Sequence, residues 1–289
     1  MSVMPGFRLT VLSAACLLLF AGQALAASPL LEIKDLKQLV AAESPLTYAD
    51  LLKLVFPEPV PGEEKAPAGP LVRQLDDYYE PQPLKAELSD YMSVEALPLK
   101  AQGRQLLLLE FWAHGEEENG SYHLLGLFQS TPAPKLLDLL DLAHSLFQFN
   151  GIWGKNPVLK LTPGTEACMI EKEHLVASLS QMHFQLLWVR NDRLEELLGV
   201  FAHSANGLWE TFTTRPVFRT EPDKGREFPK VVAQLTLRVK PAPWRDKDSQ
   251  QPVRNFTRSY RGVWRWNPAK QKYSLVSGNL DALYKFYER

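Results

Sequence analysis

The sequence predicts a mainly β protein made of antiparallel hairpins, with short helices at its N-terminal end and one short helix at its C-terminal end. From about residue 85 onward, stretches of alternating apolar residues are separated by turn-forming residues. Three segments share the order aromatic–apolar strand, polar turn, apolar strand: residues 122–143, 184–204 and 264–277. Because their starts are unequally spaced, the pattern leaves open a propeller-like arrangement and a large open sheet.

The first 26 residues have the three parts of a cleavable secretory signal peptide. Arg8 supplies the positive start, residues 9–20 form an apolar run, and Ala24-Leu25-Ala26 provides small residues at the cleavage site. A membrane-spanning helix needs about 20 apolar residues, and this run is shorter. We therefore expect an exported protein that begins near Ala27. Its destination is the periplasm if the source is a Gram-negative bacterium, and otherwise the protein is secreted.

The charge of the chain argues against a nucleic-acid-binding protein. The sequence has 32 basic and 33 acidic side chains, and the signal peptide takes only Arg8 from this count. Domains that bind nucleic acid are usually strongly basic. After residue 26 the sequence contains no apolar run that could span a membrane. We therefore expect no nucleic-acid partner and no transmembrane segment in the mature chain.

The two cysteines predict a mature fold without an internal disulfide. Cys16 leaves with the signal peptide, which leaves Cys168 without a second cysteine. Since Cys168 lies in an apolar stretch typical of a strand, we expect a buried, unreactive thiol. The stability of the fold must then come from its hydrophobic core.

Residues 27–56 have the spacing of two short helices. Ser28 can cap the first helix, and apolar residues follow it at helical intervals. Thr47 can cap the second helix, with Asp50 three residues later as in a capping box. The proline that follows Phe56 disfavours helix before it, so the second helix should end at Phe56.

The remaining chain divides into a linker and a β-rich domain. Residues 57–84 are rich in proline and lack apolar periodicity, which predicts a semi-rigid linker, and residues 85–289 form the β-rich domain. The strongest hairpin signal is Asn119-Gly120, between two apolar runs. Asn279 can cap a final helix over residues 280–287. Strands are predicted at residues 92–100, 106–112, 122–129, 135–142 and 231–240.

One candidate metal site lies at the predicted hairpin tip. A two-residue turn at Asn119-Gly120 would place Glu116 opposite His123, with His114 on the same face of the hairpin. Two imidazoles and a carboxylate are a ligand set that can hold zinc and leave a position open for water. A solvated polar tip is the competing interpretation, because one hairpin does not easily enclose a metal.

A segment near the C-terminus is a candidate binding surface because it alternates arginines with aromatic residues. Arginine forks and aromatic faces together can bind anionic polymers or glycans. The competing interpretation is a strand whose arginines pair with nearby acids while a tryptophan fills the core. The candidate residues are Arg258, Tyr260, Arg261, Trp264, Arg265 and Trp266.

These observations favour a non-catalytic function. The sequence has no nucleophile motif and no phosphate-binding glycine-rich loop, so no catalytic residue and no cofactor is predicted. The leading hypothesis is an exported cell-envelope protein that binds a partner protein or an envelope polymer through a β-sheet face. The alternative is a metal-assisted hydrolase that uses His114, Glu116 and His123.

Overall fold

A computed structural model gives the fold of this chain. It describes residues 31–42, 44–57, 69–75, 80–88, 94–115, 121–142, 153–176, 179–206, 210–243 and 254–288. The predicted signal peptide, residues 1–26, lies outside the described residues, as does most of the predicted linker, and so does the hairpin tip at residues 116–120.

The described residues form sixteen β-strands and two short helices. The strands of the first part are β1 (Leu31–Ile33), β2 (Leu71–Val72), β3 (Gln82–Pro83), β4 (Ala86–Leu88), β5 (Val94–Ala101), β6 (Arg104–Gly115), β7 (Ser121–Gln129) and β8 (Lys135–Asp141). Those of the second part are β9 (Trp153–Thr162), β10 (Thr165–Val176), β11 (Leu179–Arg190), β12 (Arg193–Asn206), β13 (Glu210–Glu221), β14 (Lys230–Pro241), β15 (Phe256–Asn267) and β16 (Lys272–Gly278). The helices are α1 (Tyr48–Leu52) and α2 (Leu280–Tyr287).

The strands form two main antiparallel sheets, which confirms the predicted fold class. The first sheet has the order β1-β5-β6-β7-β8, and β4 also pairs with β6. The second sheet joins β9 to β16 in strict chain order. One continuous ladder of eight strands is a large sheet and not a set of propeller blades, so the propeller-like alternative is wrong. The three segments with a shared pattern are the hairpins β7–β8, β11–β12 and β15–β16.

Local turn chemistry explains two hairpins of the fold, β5–β6 and β11–β12. Gln102 and Gly103 have φ values of 51° and 78° between β5 and β6, and Asn191 and Asp192 have 52° and 60° between β11 and β12. Two consecutive residues with positive φ form the tight turn that matches the twist of antiparallel strands. Glycine, asparagine and aspartate tolerate that backbone best, so these turns place the flanking strands in register.

The first sheet is buried on both faces. On β6, Leu107 and Leu109 pack against Leu51 of α1, while Leu106 and Leu108 pack against the second sheet. The residues of the second sheet that meet this face are Cys168, Ile170, Leu187, Val189 and Leu194. Burial raises the pKa of the Cys168 thiol to about 12, as expected for an unreactive cysteine.

The second sheet bends sharply between β12 and β13. These strands pair only at Ala205↔Phe212 and Asn206↔Thr211, and then diverge. We call β9–β12 the first leaf and β13–β16 the second leaf. A hydrophobic core containing residues of both leaves and of α2 fills the space between them. Its most buried members are Ala167, Leu186, Val200 and Ala202 from the first leaf, Val231, Ala233, Leu235 and Leu237 from the second, and Leu283 from α2.

Buried polar contacts fasten the first sheet to the first leaf. Arg73 donates from Nε to Asp138 Oδ1 at 2.9 Å, and Asp138 Oδ2 accepts the backbone N–H of Leu194 at 2.7 Å. Glu166, which is also buried, accepts the backbone N–H of Lys100 at 2.9 Å. Since each contact joins different elements, these groups fix the position of one sheet on the other.

The N-terminal helices are confirmed only in part. Thr47 caps α1 and forms the predicted capping box with Asp50, but the helix ends at Leu52 and not at Phe56. The first predicted helix is wrong over Leu31–Ile33, which is strand β1 paired with β5. There the free edge of β5 supplies backbone partners and a buried place for the Ile33 side chain, and tertiary pairing outweighs local spacing.

The C-terminal helix is confirmed, although its predicted cap is not. Helix α2 covers Leu280–Tyr287, but the Asn279 side chain makes no capping hydrogen bond. Its Oδ1 instead accepts the backbone N–H of Arg261 at 2.7 Å, so it ties the helix start to β15. None of the helices in the described part of the chain is long and apolar enough to cross a membrane.

Candidate functional site

The predicted metal ligands are not arranged as the two-residue turn required. His123 lies opposite Trp112 and not opposite Glu116, and His114 lies opposite Ser121. The described pairs of β6 and β7 are therefore out of the register that a two-residue turn at Asn119-Gly120 requires. Glu116 and the side chain of His114 lie outside the described residues. Within the part of the chain that is described, no three metal-ligating side chains are close enough to hold an ion.

His123 belongs instead to a buried cluster on the first sheet. Its Nε2 lies 2.6 Å from Glu110 Oε1, and its ring stacks on Trp112 with the centroids 4.1 Å apart and the planes 7° from parallel. His123 and Glu110 are both buried. They share the face of the sheet that packs against the second sheet, because Glu110 and Trp112 alternate in phase with Leu108.

A second carboxyl group, Glu95, completes this cluster. Glu95 lies opposite Glu110 on β5, and Glu32 lies opposite Glu95 on β1. Burial, the charge of Glu110, the hydrogen bond between the two carboxyls and the charge of Glu32 together raise the pKa of Glu95 to about 7, and burial contributes most. In the hydrogen bond between the two carboxyls, a protonated Glu95 is the donor to Glu110.

The cluster can therefore take up and release one proton near neutral pH. Only Glu95 is partly open to solvent, while Glu110 and His123 are buried. Glu95 and Glu110 were not predicted from the sequence. A lone acid inside the leucine-rich strand β6 was the available signal, because an ionisable residue in a strand buried on both faces needs a specific partner.

The aromatic residues of the candidate binding segment fill the core. Tyr260 and Trp264 are buried between the leaves. Trp266 contacts Trp188, Phe228 and Tyr273 with ring centroids 5.0–5.6 Å apart. Rings enclosed in this way stabilise the fold and do not offer their faces to a polymer.

Two of the three candidate arginines are held in ion pairs. Arg261 contacts Glu221 at 3.1 Å, and Arg265 contacts Asp223 at 2.9 Å. Both acids come from the end of β13 and the turn that follows it. Arg258 is exposed, with its guanidinium 4.9 Å from the ring centroid of Phe256. This sorting matches the competing interpretation of the segment as a strand with paired arginines and a buried tryptophan.

The outer face of the second leaf carries basic residues of a different kind. Arg215 on β13 and Arg238 and Lys240 on β14 are exposed and make no ion pair with any described residue. Thr213 lies directly opposite Arg238 on one side, and Thr257 of β15 lies opposite it on the other. These side chains project from the same side of the sheet, because residues alternate in direction along each strand.

We call this surface the basic face and define it by Arg215, Arg238 and Lys240 with the hydroxyl residues between them. The hydroxyl residues are Thr211, Thr213, Thr236, Thr257 and Ser259. Among the described residues on this side of the leaf, the only acid is Glu221, at the opposite end of β13. The basic face therefore concentrates positive charge in a chain whose formal net charge is −1.

Comparison with models of known protein families, with curated protein sequences and with solved structures found no significant match. The functional interpretation therefore depends on the chemistry of the surfaces described above.

Proposed function

We propose that this chain is an exported, non-catalytic cell-envelope protein that binds an anionic envelope polymer on the basic face. The observation that carries the proposal is the group of unpaired cations Arg215, Arg238 and Lys240 on one exposed side of a sheet. The proposed location follows from the predicted signal peptide: the periplasm if the source is Gram-negative, and otherwise outside the cell.

The geometry of a sheet face suits a repeating ligand. Neighbouring strands lie about 4.8 Å apart, and residues on one side of a strand repeat about every 6.6 Å. Arg215 on β13 and Arg238 on β14 therefore place two guanidinium groups on the same side of adjacent strands. Each guanidinium can form a two-bond fork with a carboxylate or phosphate. Threonine and serine hydroxyls between them can donate or accept hydrogen bonds from sugar hydroxyls.

Charge position favours a polymer over a nucleic acid or an enzyme substrate. Three other arginines of the leaf, Arg219, Arg261 and Arg265, are neutralised by Glu221 and Asp223. Arg215, Arg238 and Lys240 form a local group of unpaired cations in a chain that is slightly acidic as a whole.

The alternative of a metal-assisted hydrolase has less support. It requires Glu116 beside His123, whereas His123 is buried and engaged by Glu110 and Trp112. A hydrolytic metal site needs an open position for water and substrate. The buried environment of His123 does not provide one.

Polymer binding is tested with an acidic and a neutral polysaccharide. We expect the purified protein to bind polygalacturonate at low salt, to release it as salt is raised, and to ignore dextran. The double variant Arg238→Gln/Lys240→Gln should weaken binding about tenfold or more, which corresponds to about 1.4 kcal/mol. Calorimetric titration measures each affinity.

The matched control is Arg219→Gln/Arg261→Gln, which removes the same charge from the ion-paired end of the same leaf. It should change the affinity far less than the variant in the basic face. Equal losses in the two variants would show that only net charge matters, and no polygalacturonate binding at low salt would refute the proposal. Retention of a defined protein and of no acidic polymer would favour the partner-protein hypothesis instead.

A further inference from the structure

A cavity of about 290 Å³ opens between the two leaves of the second sheet. It lies where β13 passes close to β9. Within the described residues, β13 pairs with β14 along its length and with β12 only at its first residues, and β9 pairs only with β10. The two facing strands thus leave a gap that no backbone ladder closes.

The wall of the cavity is apolar. Leu159, Met169 and Phe218 are half-buried and pack against the core between the leaves. Phe184 and Leu186 form its buried floor. The other lining residues are Val158, Glu171, Arg215, Pro216 and Val217. A pocket with an apolar wall and few polar groups is the usual form of a small-molecule site.

The charge at the cavity is set by residues of β13 and β10. Arg215 lines the cavity and is also a member of the basic face, where it has no ion-pair partner among the described residues. Glu171 lies on the opposite wall. Arg238, on the strand next to β13, lies outside the cavity. The unpaired charge of Arg215 favours a ligand whose polar end is an anion.

We propose that this cavity binds the apolar chain of a small anionic amphiphile, with the anionic group held by Arg215. At about 30 Å³ for each water-sized group, the cavity accommodates a chain of roughly ten carbons. The guanidinium of Arg215 can bind the carboxylate through a two-bond fork. This inference goes beyond polymer binding, because it depends on the cavity and on Arg215 and needs neither Arg238 nor Lys240.

Decanoate is the probe, and decanol is its uncharged counterpart. We expect the purified protein to bind decanoate more tightly than decanol in calorimetric titrations. Arg215→Gln should weaken decanoate binding about tenfold while leaving decanol unchanged, since a charge-assisted hydrogen bond is lost. Arg238→Gln is the matched control, because it removes one exposed cation outside the cavity, and it should change decanoate binding by less than about twofold.

A second variant tests the cavity itself. Met169→Trp fills the space with a larger side chain and should abolish binding of both decanoate and decanol. Thermal unfolding checks that the variant is folded, and Leu159→Phe replaces it if Met169→Trp does not fold. Met169 is preferred to Leu159 as the substituted position, because a flexible methionine side chain usually tolerates replacement.

The inference would be overturned by the absence of decanoate binding to the unaltered protein, by equal affinity for decanoate and decanol, or by binding that survives in a folded cavity-filled variant. Equal weakening by Arg215→Gln and Arg238→Gln would also contradict it, because it would indicate attraction by general charge. Decanoate binding that persists in Arg238→Gln/Lys240→Gln, while polygalacturonate binding is lost, separates this site from the proposed polymer surface.

Discussion

Replacing Glu95 by glutamine should make the protein more stable at alkaline pH. In the folded protein, burial and the facing carboxyl of Glu110 raise the pKa of Glu95 from 4.5 to about 7. Ionised Glu95 therefore lies beside another carboxylate above pH 7, which destabilises the fold. Glutamine carries no charge, and its amide can still donate a hydrogen bond to Glu110.

The sign of the pH dependence follows from proton binding. Between pH 4.5 and about 7 the folded state holds a proton on Glu95 that the unfolded state has released. The free energy of unfolding must then fall as pH rises through this window, and the loss is complete above about pH 8. A rise in pKa of this size corresponds to roughly 3 kcal/mol for a desolvated group. Because Glu95 is partly exposed, solvent screening reduces the effect to about 1–2 kcal/mol.

Urea unfolding at several pH values between 4 and 8.5 measures this effect. The difference in free energy of unfolding between Glu95→Gln and the unaltered protein should be near zero at pH 4 and reach about 1–2 kcal/mol in favour of the variant at pH 8. Glu227→Gln is the control, because Glu227 is exposed and far from this cluster in the sequence. A constant difference across the pH range would refute the proposed proton sharing between Glu95 and Glu110.

The other stability predictions concern contacts that the sequence does not reveal. Asp138→Asn should lower the free energy of unfolding by about 3–5 kcal/mol in urea titrations, because it leaves the buried Arg73 without its carboxylate. The control Asp192→Asn, which breaks the exposed pair with Arg104, should lower it by less than about 1 kcal/mol. Similar losses in both variants would contradict the structural role of Asp138. Gly199→Ala should destabilise the fold by roughly 1–3 kcal/mol, because the added Cβ would lie too close to His183 Nε2. An unchanged or raised melting temperature would show that the His183 ring moves aside without loss of stability.

Hairpins with strong turn residues were predictable from the sequence, because their geometry is decided locally. Asn191-Asp192 adopts the left-handed backbone that such residues tolerate, and the flanking strands follow. The hairpin at Asn119-Gly120 was predicted as a hairpin but in the wrong register. Strand β6 has buried leucines on both faces, so simple alternation does not show which side faces which core. Neither the local turn signal nor the alternation of apolar residues therefore specifies this register.

The N-terminal segment shows the same division between local and long-range determinants. The cap at Thr47 was predictable because the capping box needs only residues three apart. The strand at Leu31–Ile33 was not, because its hydrogen-bond partner is β5, more than 60 residues later in the chain. An amphipathic spacing near the end of a chain fits a helix and an edge strand equally well when the run is short.

The binding residues predicted from the sequence differ from those of the basic face for a comparable reason. The sequence indicated one arginine-rich strand, but an arginine binds a ligand only if the fold leaves it without an acid. Glu221 neutralises Arg261 from 40 residues away, a pairing that spacing along the strand does not show. Arg238 and Lys240 were not predicted as binding residues, because they lie in an ordinary alternating strand. Their unpaired charges depend on the neighbours β13 and β15, which bring threonine and serine beside them.

The cations of the second leaf therefore have different neighbours at the two ends of the same strands. At the end marked by Glu221, arginines and acids hold the edges of β13 and β15 together. At the other end, the same two strands place only hydroxyl residues beside Arg238. A cation beside hydroxyls keeps its charge available, whereas a cation beside a carboxylate does not. The difference between the two ends is thus a property of strand pairing, and it is the physical reason that the proposed site lies on β13 and β14 and not on the arginine-rich strand β15.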